Sequence, residues 1–137
     1  MNQLPGTIKE ITSSGNVSLV SLDAAGTEMS AVIIGTLANT PYLRPGKTVV
    51  ILFKESEVSI GKNITGQISL RNQINADIIA IENGEVFSKI DMEFLGLQIT
   101  SLITTRSAER MNLKKGDKVT AFIKSNEVML MDPDNEQ

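Results

Sequence analysis

Three short segments of this chain gather the residue types that hold a small oxyanion without a metal. Ser69-Leu70-Arg71-Asn72-Gln73 sets a hydroxyl and a guanidinium at the start of a strand-like run. Ile103-Thr104-Thr105-Arg106-Ser107 puts hydroxyls where a helix begins, and there unpaired N–H groups and the helix dipole favour negative charge. Lys124-Ser125 adds an ammonium and a hydroxyl at a strand end. A fully deprotonated dianion only accepts hydrogen bonds, so a pocket built of donors suits it. Each segment also has a plain structural reading. A cation at a strand end often guards a solvated edge. Thr104 or Thr105 serves as a helix N-cap, and Asn72 and Gln73 can satisfy backbone groups beside a turn. Met129-Leu130-Met131 reads as packing.

Composition removes most other chemistry. With no histidine and no cysteine, the chain lacks disulfides, thiolate metal sites and every Ser-His or Cys-His nucleophile. No paired carboxylates stand near the three segments, so the sequence argues against an enzyme. A net charge of −3 with four Phe and one Tyr also argues against an OB-type nucleic-acid binder, which needs stacking aromatics and a basic groove. Hydrophobic residues make up 41% of the chain, and the richness in Val and Ile leans toward strands. The start, MNQLPGTIKE, shows no secretory pattern, and no apolar run reaches the ~20 residues of a membrane helix. A cytoplasmic location without membrane contact is expected.

The elements that must position these residues are written twice. Asn2-Gln3 recurs as Asn72-Gln73, Gly26 as Gly96, Ile33 as Ile103 and Gly46 as Gly116. Val49 matches Val119, Lys54 matches Lys124, and Glu57-Val58 matches Glu127-Val128, every pair 70 apart. Only the first hairpin is expected to slip by one, Gly15-Asn16-Val17 answering Gly84-Glu85-Val86. The units are expected at residues 1–62 and 63–137, joined too tightly at 61–66 for a flexible linker.

In the second unit, strands are expected at Ile74–Ile81, Val86–Phe94, Leu97–Ile103, Lys118–Lys124 and Glu127–Met131, with a helix over Thr105–Leu113. The first unit repeats the pattern, its helix at Leu37–Tyr42 weakened by Pro41. The fold class is all-β, two tandem OB-fold-like small barrels, each with one short helix. The hydroxyls belong to one copy only: Thr104 corresponds to Ile34, Ser107 to Leu37 and Ser125 to Glu55, while the lysine survives as Lys54. That asymmetry favours a binding site in the second unit.

Taken together, Ser69-Leu70-Arg71-Asn72-Gln73, Ile103-Thr104-Thr105-Arg106-Ser107-Ala108 and Ala121-Phe122-Ile123-Lys124-Ser125 resemble the Mop family of molybdate- and tungstate-binding domains. The resemblance spans both units and implies a tandem di-Mop protein that stores or buffers molybdate or tungstate. It implies an oxyanion held by Ser69, the backbone around Leu70 and Arg71, Thr104 and Ser107, with Lys124 and Ser125 supplied across an interface. Asn72, Gln73 and Lys54 are secondary candidates. Leu70 departs from the small residue usual between Ser and Arg in that family. Homo-oligomers are implied, a trimer ahead of a dimer. The alternatives are a molybdate-sensing module of a transcription regulator or transporter, and the nucleic-acid module disfavoured above.

Overall fold

The structure, a computed structural model, describes residues 1–35 and 40–135. Ten strands and one helix alternate along it: β1 (Asn2–Ser14), β2 (Val17–Ala24), β3 (Thr27–Ile34), β4 (Thr48–Phe53), β5 (Ser59–Gly61), β6 (Asn72–Asn83), β7 (Phe87–Phe94), β8 (Leu97–Thr104), α1 (Thr105–Arg110), β9 (Lys118–Ile123) and β10 (Met129–Met131). The second-unit elements fall where the apolar alternation puts them. The helix expected at Leu37–Tyr42 lies partly outside the described residues, and Tyr42 itself is in a turn.

Period-two patterning explains the sheets. Along β1 and β6 every second residue is buried from the first position to the seventh, so one face is apolar and the other wet. The buried faces supply Leu4, Ile8, Ile51 and Phe53 from the first sheet and Ile74, Ile78, Ile90 and Ile123 from the second to one continuous core, all 1% exposed or less. A bulge interrupts β1 between Ile8 and Glu10 and β6 between Ile78 and Ala80, again 70 apart. Such bulges sharpen the local coil, which lets each long strand serve two ladders. The sheets are antiparallel and open: edge strands approach each other, but no ladder among the described residues joins them. The fold is therefore all-β and OB-like, with unclosed barrels.

Two details differ from the sequence expectation. The repeat does not slip at the first hairpin. Ser13 pairs with Ser18 and Asn83 with Ser88, so the offset of 70 holds through the turn. The glycines mislead because they serve different ends. Gly15 sits in the turn at φ +62, whereas a Cβ on Gly84 would lie 2.7 Å from the Phe87 carbonyl oxygen.

The second difference is larger. The strand orders are β10-β4-β1-β2-β3 and β5-β9-β6-β7-β8. Ser59 faces Phe122 and Gly61 faces Thr120, while Met129 faces Leu52 and Met131 faces Val50. Each unit thus lends its last strand to the other. Local patterning cannot reveal this, because a three-residue strand reads the same whichever sheet it joins.

The exchange is fastened by pairs that the same offset relates. Asn2 Nδ2 donates to the Thr100 carbonyl at 2.8 Å, and the Thr100 N–H donates to Asn2 Oδ1 at 2.8 Å. Asn72 Nδ2 donates to the Ser30 carbonyl at 3.0 Å, and the Ser30 N–H donates to Asn72 Oδ1 at 2.7 Å. Each amide imitates a neighbouring strand at the exposed edge of β3 or β8. Near the ends of the exchanged strands, Lys47 Nζ lies 3.3 Å from Asp132 and Lys62 Nζ lies 3.1 Å from Asp117. Lys47 also binds Asp134.

Candidate functional site

Two of the three predicted segments converge at the seam between the units. Asn72 opens β6 opposite Ile123, the last residue of β9. Arg71 and Lys124 therefore leave the ladder side by side, with Ser69 and Leu70 leading up to Arg71. The Gln73 side chain donates to the Leu70 carbonyl at 2.9 Å and fixes that approach. Ser125 Oγ lies 2.6 Å from Ser30 Oγ, reaching across the seam to β3. Arg71 and Lys124 are exposed and form no ion pair among the described residues. Their positive charge is left unneutralised beside two serine hydroxyls.

Asn72 has a different place from its neighbours. It is fully buried, and its amide is committed to Ser30, so it positions the seam while Arg71 faces out. Ser30 itself was missed by the sequence reading. Its counterpart under the 70-residue offset is Thr100, which meets Asn2 as Ser30 meets Asn72, and the sequence shows only that both positions carry a hydroxyl.

The third segment stands elsewhere. Thr104 caps α1: its Oγ1 accepts from the Ser107 N–H at 3.2 Å and donates to Ser107 Oγ at 2.9 Å. Thr105 ties the helix start to the hairpin, its N–H donating to the Val86 carbonyl at 2.8 Å and its hydroxyl to the Gly84 carbonyl at 2.7 Å. Thr104 pairs with Phe87, at the Asn83 end of β6 and not the Asn72 end. Those ends are the two termini of a 12-residue strand, roughly 35 Å along its path at the usual rise. One chain does not bring Thr104 and Ser107 to Arg71 and Lys124.

The pseudo-equivalent position in the first unit is a cavity of about 310 Å³ lined by Lys54, Glu55, Ser56, Lys89, Thr100 and Leu102. Here Glu55 replaces Ser125. Its carboxyl is held below the usual range, first by the amino terminus, whose nitrogen donates to it at 2.7 Å, with a smaller contribution from Lys89. Lys54 thus has an acidic neighbour where Lys124 has a serine hydroxyl. A larger cavity of about 490 Å³, lined by Asn75, Asp77, Lys118 and Thr120 among others, contains none of the predicted residues. Four of its polar groups already pair, Lys118 with Asp77 and Thr120 with Asn75.

A family model described as the TOBE domain matches residues 1–60 and again residues 68–130. The chain belongs to the TOBE domain family. The two matches are the two sequence repeats, and relatives of this TOBE chain agree with the Mop resemblance. The molybdenum-pterin-binding protein MopB of Rhodobacter capsulatus is 33% identical over 110 residues, 79% of this chain. Molybdenum-pterin-binding protein 3 of Clostridium pasteurianum is 37% identical over 65 residues, which cover 96% of that protein and 47% of this chain. The match spans 41% of the length of MopB, and also of the molybdenum transport protein ModE of Azotobacter vinelandii. Among solved structures, the cytoplasmic molybdate-binding protein ModG with molybdate bound superposes with a TM-score of 0.92 at 27% identity, covering 96% of both chains. No helix among the described residues is long and apolar enough to cross a membrane.

Proposed function

We propose that this chain binds molybdate or tungstate reversibly in the cytoplasm and buffers it, without catalysing a reaction on it. The observation that carries the reading is the seam cluster: Arg71 and Lys124 side by side without carboxylate partners, next to Ser125 and Ser30, in a fold shared with molybdate-bound ModG. In this reading Ser69, the backbone at Leu70 and Arg71, Lys124 and Ser125 form one part of the pocket. Thr104 and Ser107 form the other part, and Asn72 and Gln73 hold the first part in shape. Lys54 stays outside because Glu55 stands where the second unit offers the Ser125 hydroxyl.

Molybdate near neutral pH has no proton to give, so donors alone satisfy it. Monohydrogen phosphate carries a proton that calls for an acceptor, and no carboxylate stands among these groups to take it, so the site disfavours phosphate. Sulfate shares the bonding character of molybdate and is rejected by size.

Because Thr104 and Ser107 lie at the far end of β6, a complete pocket takes them from another copy. The reading therefore includes a homo-oligomer, a trimer ahead of a dimer. Its support is the apolar rim beside them: Phe87, directly opposite Thr104, is 53% exposed, and Val86 is 64% exposed.

Isothermal titration with molybdate, using sulfate and phosphate as controls, tests the proposal. Saturable heat with molybdate and none with phosphate is expected. Lys124→Ala with Arg71→Ala should weaken binding at least about tenfold, as loss of charge-assisted bonds implies, with the melting temperature unchanged. Unaltered affinity in that variant overturns the site.

A further inference from the structure

The two ion pairs at the exchanged strands are related by the repeat, but with their signs reversed. Position 47 of the first unit corresponds to 117 of the second, and position 62 corresponds to 132. The first unit carries Lys at both places, Lys47 and Lys62, and the second carries Asp at both, Asp117 and Asp132. In the observed exchange each unit meets the other, so Lys47 meets Asp132 and Lys62 meets Asp117.

Suppose instead that two copies of the chain paired through their first units. The amide clamp and the strand ladder would be available again, and of the backbone-directed bonds only that from the Ser101 hydroxyl to the Val58 carbonyl would be lost, because Ala31 stands in its place. Asn2 of one copy would clamp Ser30 of the other, because Ser30 stands where Thr100 stands in the second unit. β5 of one copy would lie on β4 of the other, with Ser59 opposite Leu52. The charges would not allow it. Lys62 would face Lys47, with Arg44 close by, and in a pair of second units Asp132 would face Asp117. These side chains are mostly covered, 14% and 11% exposed in one pair and 23% and 13% in the other, so solvent screens them poorly.

We propose that Lys47, Lys62, Asp117 and Asp132 form a charge code that confines strand exchange to unlike units and excludes like-unit exchange with a second copy of this chain. The exclusion has a geometric consequence. Like-unit pairing always needs a second chain, giving a closed dimer where one partner serves both units and an open string where two partners do, whereas unlike pairing closes within one chain. Like-charge juxtaposition is a known means of rejecting wrong partners.

The test uses the full chain, which has no cysteine of its own. Leu52→Cys with Ser59→Cys reports the strand's location, since those positions face each other only if β5 lies on a first-unit β4. Three versions are unfolded, refolded at high concentration, oxidised and run on non-reducing gels. With native charges, no disulfide-linked species is expected. Lys47→Asp with Asp132→Lys keeps both exchanged pairs attractive but makes both like-unit pairs attractive too. The share of interchain disulfide should then rise about tenfold or more, in line with the free energy of like-charge contact. Adding Lys62→Asp with Asp117→Lys restores repulsion between like units, and the interchain species should vanish again. Equal interchain shares in all three versions overturn the proposal, as does failure of the fourfold reversal to recover. An intrachain disulfide with native charges also overturns it, because β5 would then lie on its own β4. If Lys47→Asp/Asp132→Lys does not refold, Lys62→Asp/Asp117→Lys alone makes the same prediction.

Discussion

Replacing Asn72 by Ala removes both bonds to Ser30 at once. Ser30 is 2% exposed and sits on β3, the edge strand of its sheet, so its N–H and C=O have no other strand to turn to. One buried backbone group left unpaired costs about 1–3 kcal/mol, so the two together set a range of about 2–6 kcal/mol. Water entering the space left by the amide satisfies part of the demand and places the expected loss near 3 kcal/mol. With a urea slope of about 1–3 kcal/mol per molar, the unfolding midpoint should fall by roughly 1 M or more. Gln73→Ala is the control, since its amide reaches only an exposed carbonyl, that of Leu70. The assay is equilibrium urea unfolding followed by far-UV circular dichroism. A midpoint shift below about 0.3 M for Asn72→Ala, or an equal shift for Gln73→Ala, would refute the claim that the buried amide stands in for a strand.

Further outcomes follow from other contacts. Gly6→Ala puts a Cβ 2.5 Å from Ile51 Cδ1, so overpacking should cost about 1–3 kcal/mol, and Ile51→Val in the same chain should return part of it in thermal melts. Thr104→Val removes the N-cap and should cost about 1 kcal/mol, whereas Thr104→Ser should cost little. Acid should weaken the fold. The Lys62 ammonium holds the Asp117 carboxyl below the usual range, and the Asp134 N–H, then Lys47, do the same for Asp132. Their folded pKa values are lowered, so the stability is present above the unfolded carboxylate value and lost as pH falls through the folded ones. Calorimetric melting across that window should show the decline, and Lys62→Met with Lys47→Met should flatten it.

Much of this was legible in the sequence. The 70-residue offset is a comparison of letters, the alternating strands and the Thr104 cap are local properties written in neighbouring residues, and all three hold in the structure. The convergence of Arg71 with Lys124 was foreshadowed by motif order, although register was needed to set them side by side. What could not be read is non-local. The partner of Asn72 lies 42 residues away, and nothing near Asn72 marks Ser30 as its target. The fifth strand of each unit is three residues long, and its choice of sheet depends on edges that exist only after both sheets form. The sign reversal between Lys62 and Asp132 was visible as letters, yet it had no meaning until the strands were seen to cross.

The crossing also bears on the order in which the ribosome delivers the chain. Sheet β10-β4-β1-β2-β3 takes four strands, β1 to β4, from the first 53 residues and the fifth from Met129–Met131. During synthesis the first unit emerges early but waits for residues 129–131 before its β4 edge is covered. An open edge bearing Val50 and Leu52 is a template for pairing with a neighbouring nascent chain. On a crowded polysome, the nearest such neighbours are other copies at the same stage, each offering β5 and Lys62 to that edge. Lys47 flanks it at that moment, before Asp132 has been translated.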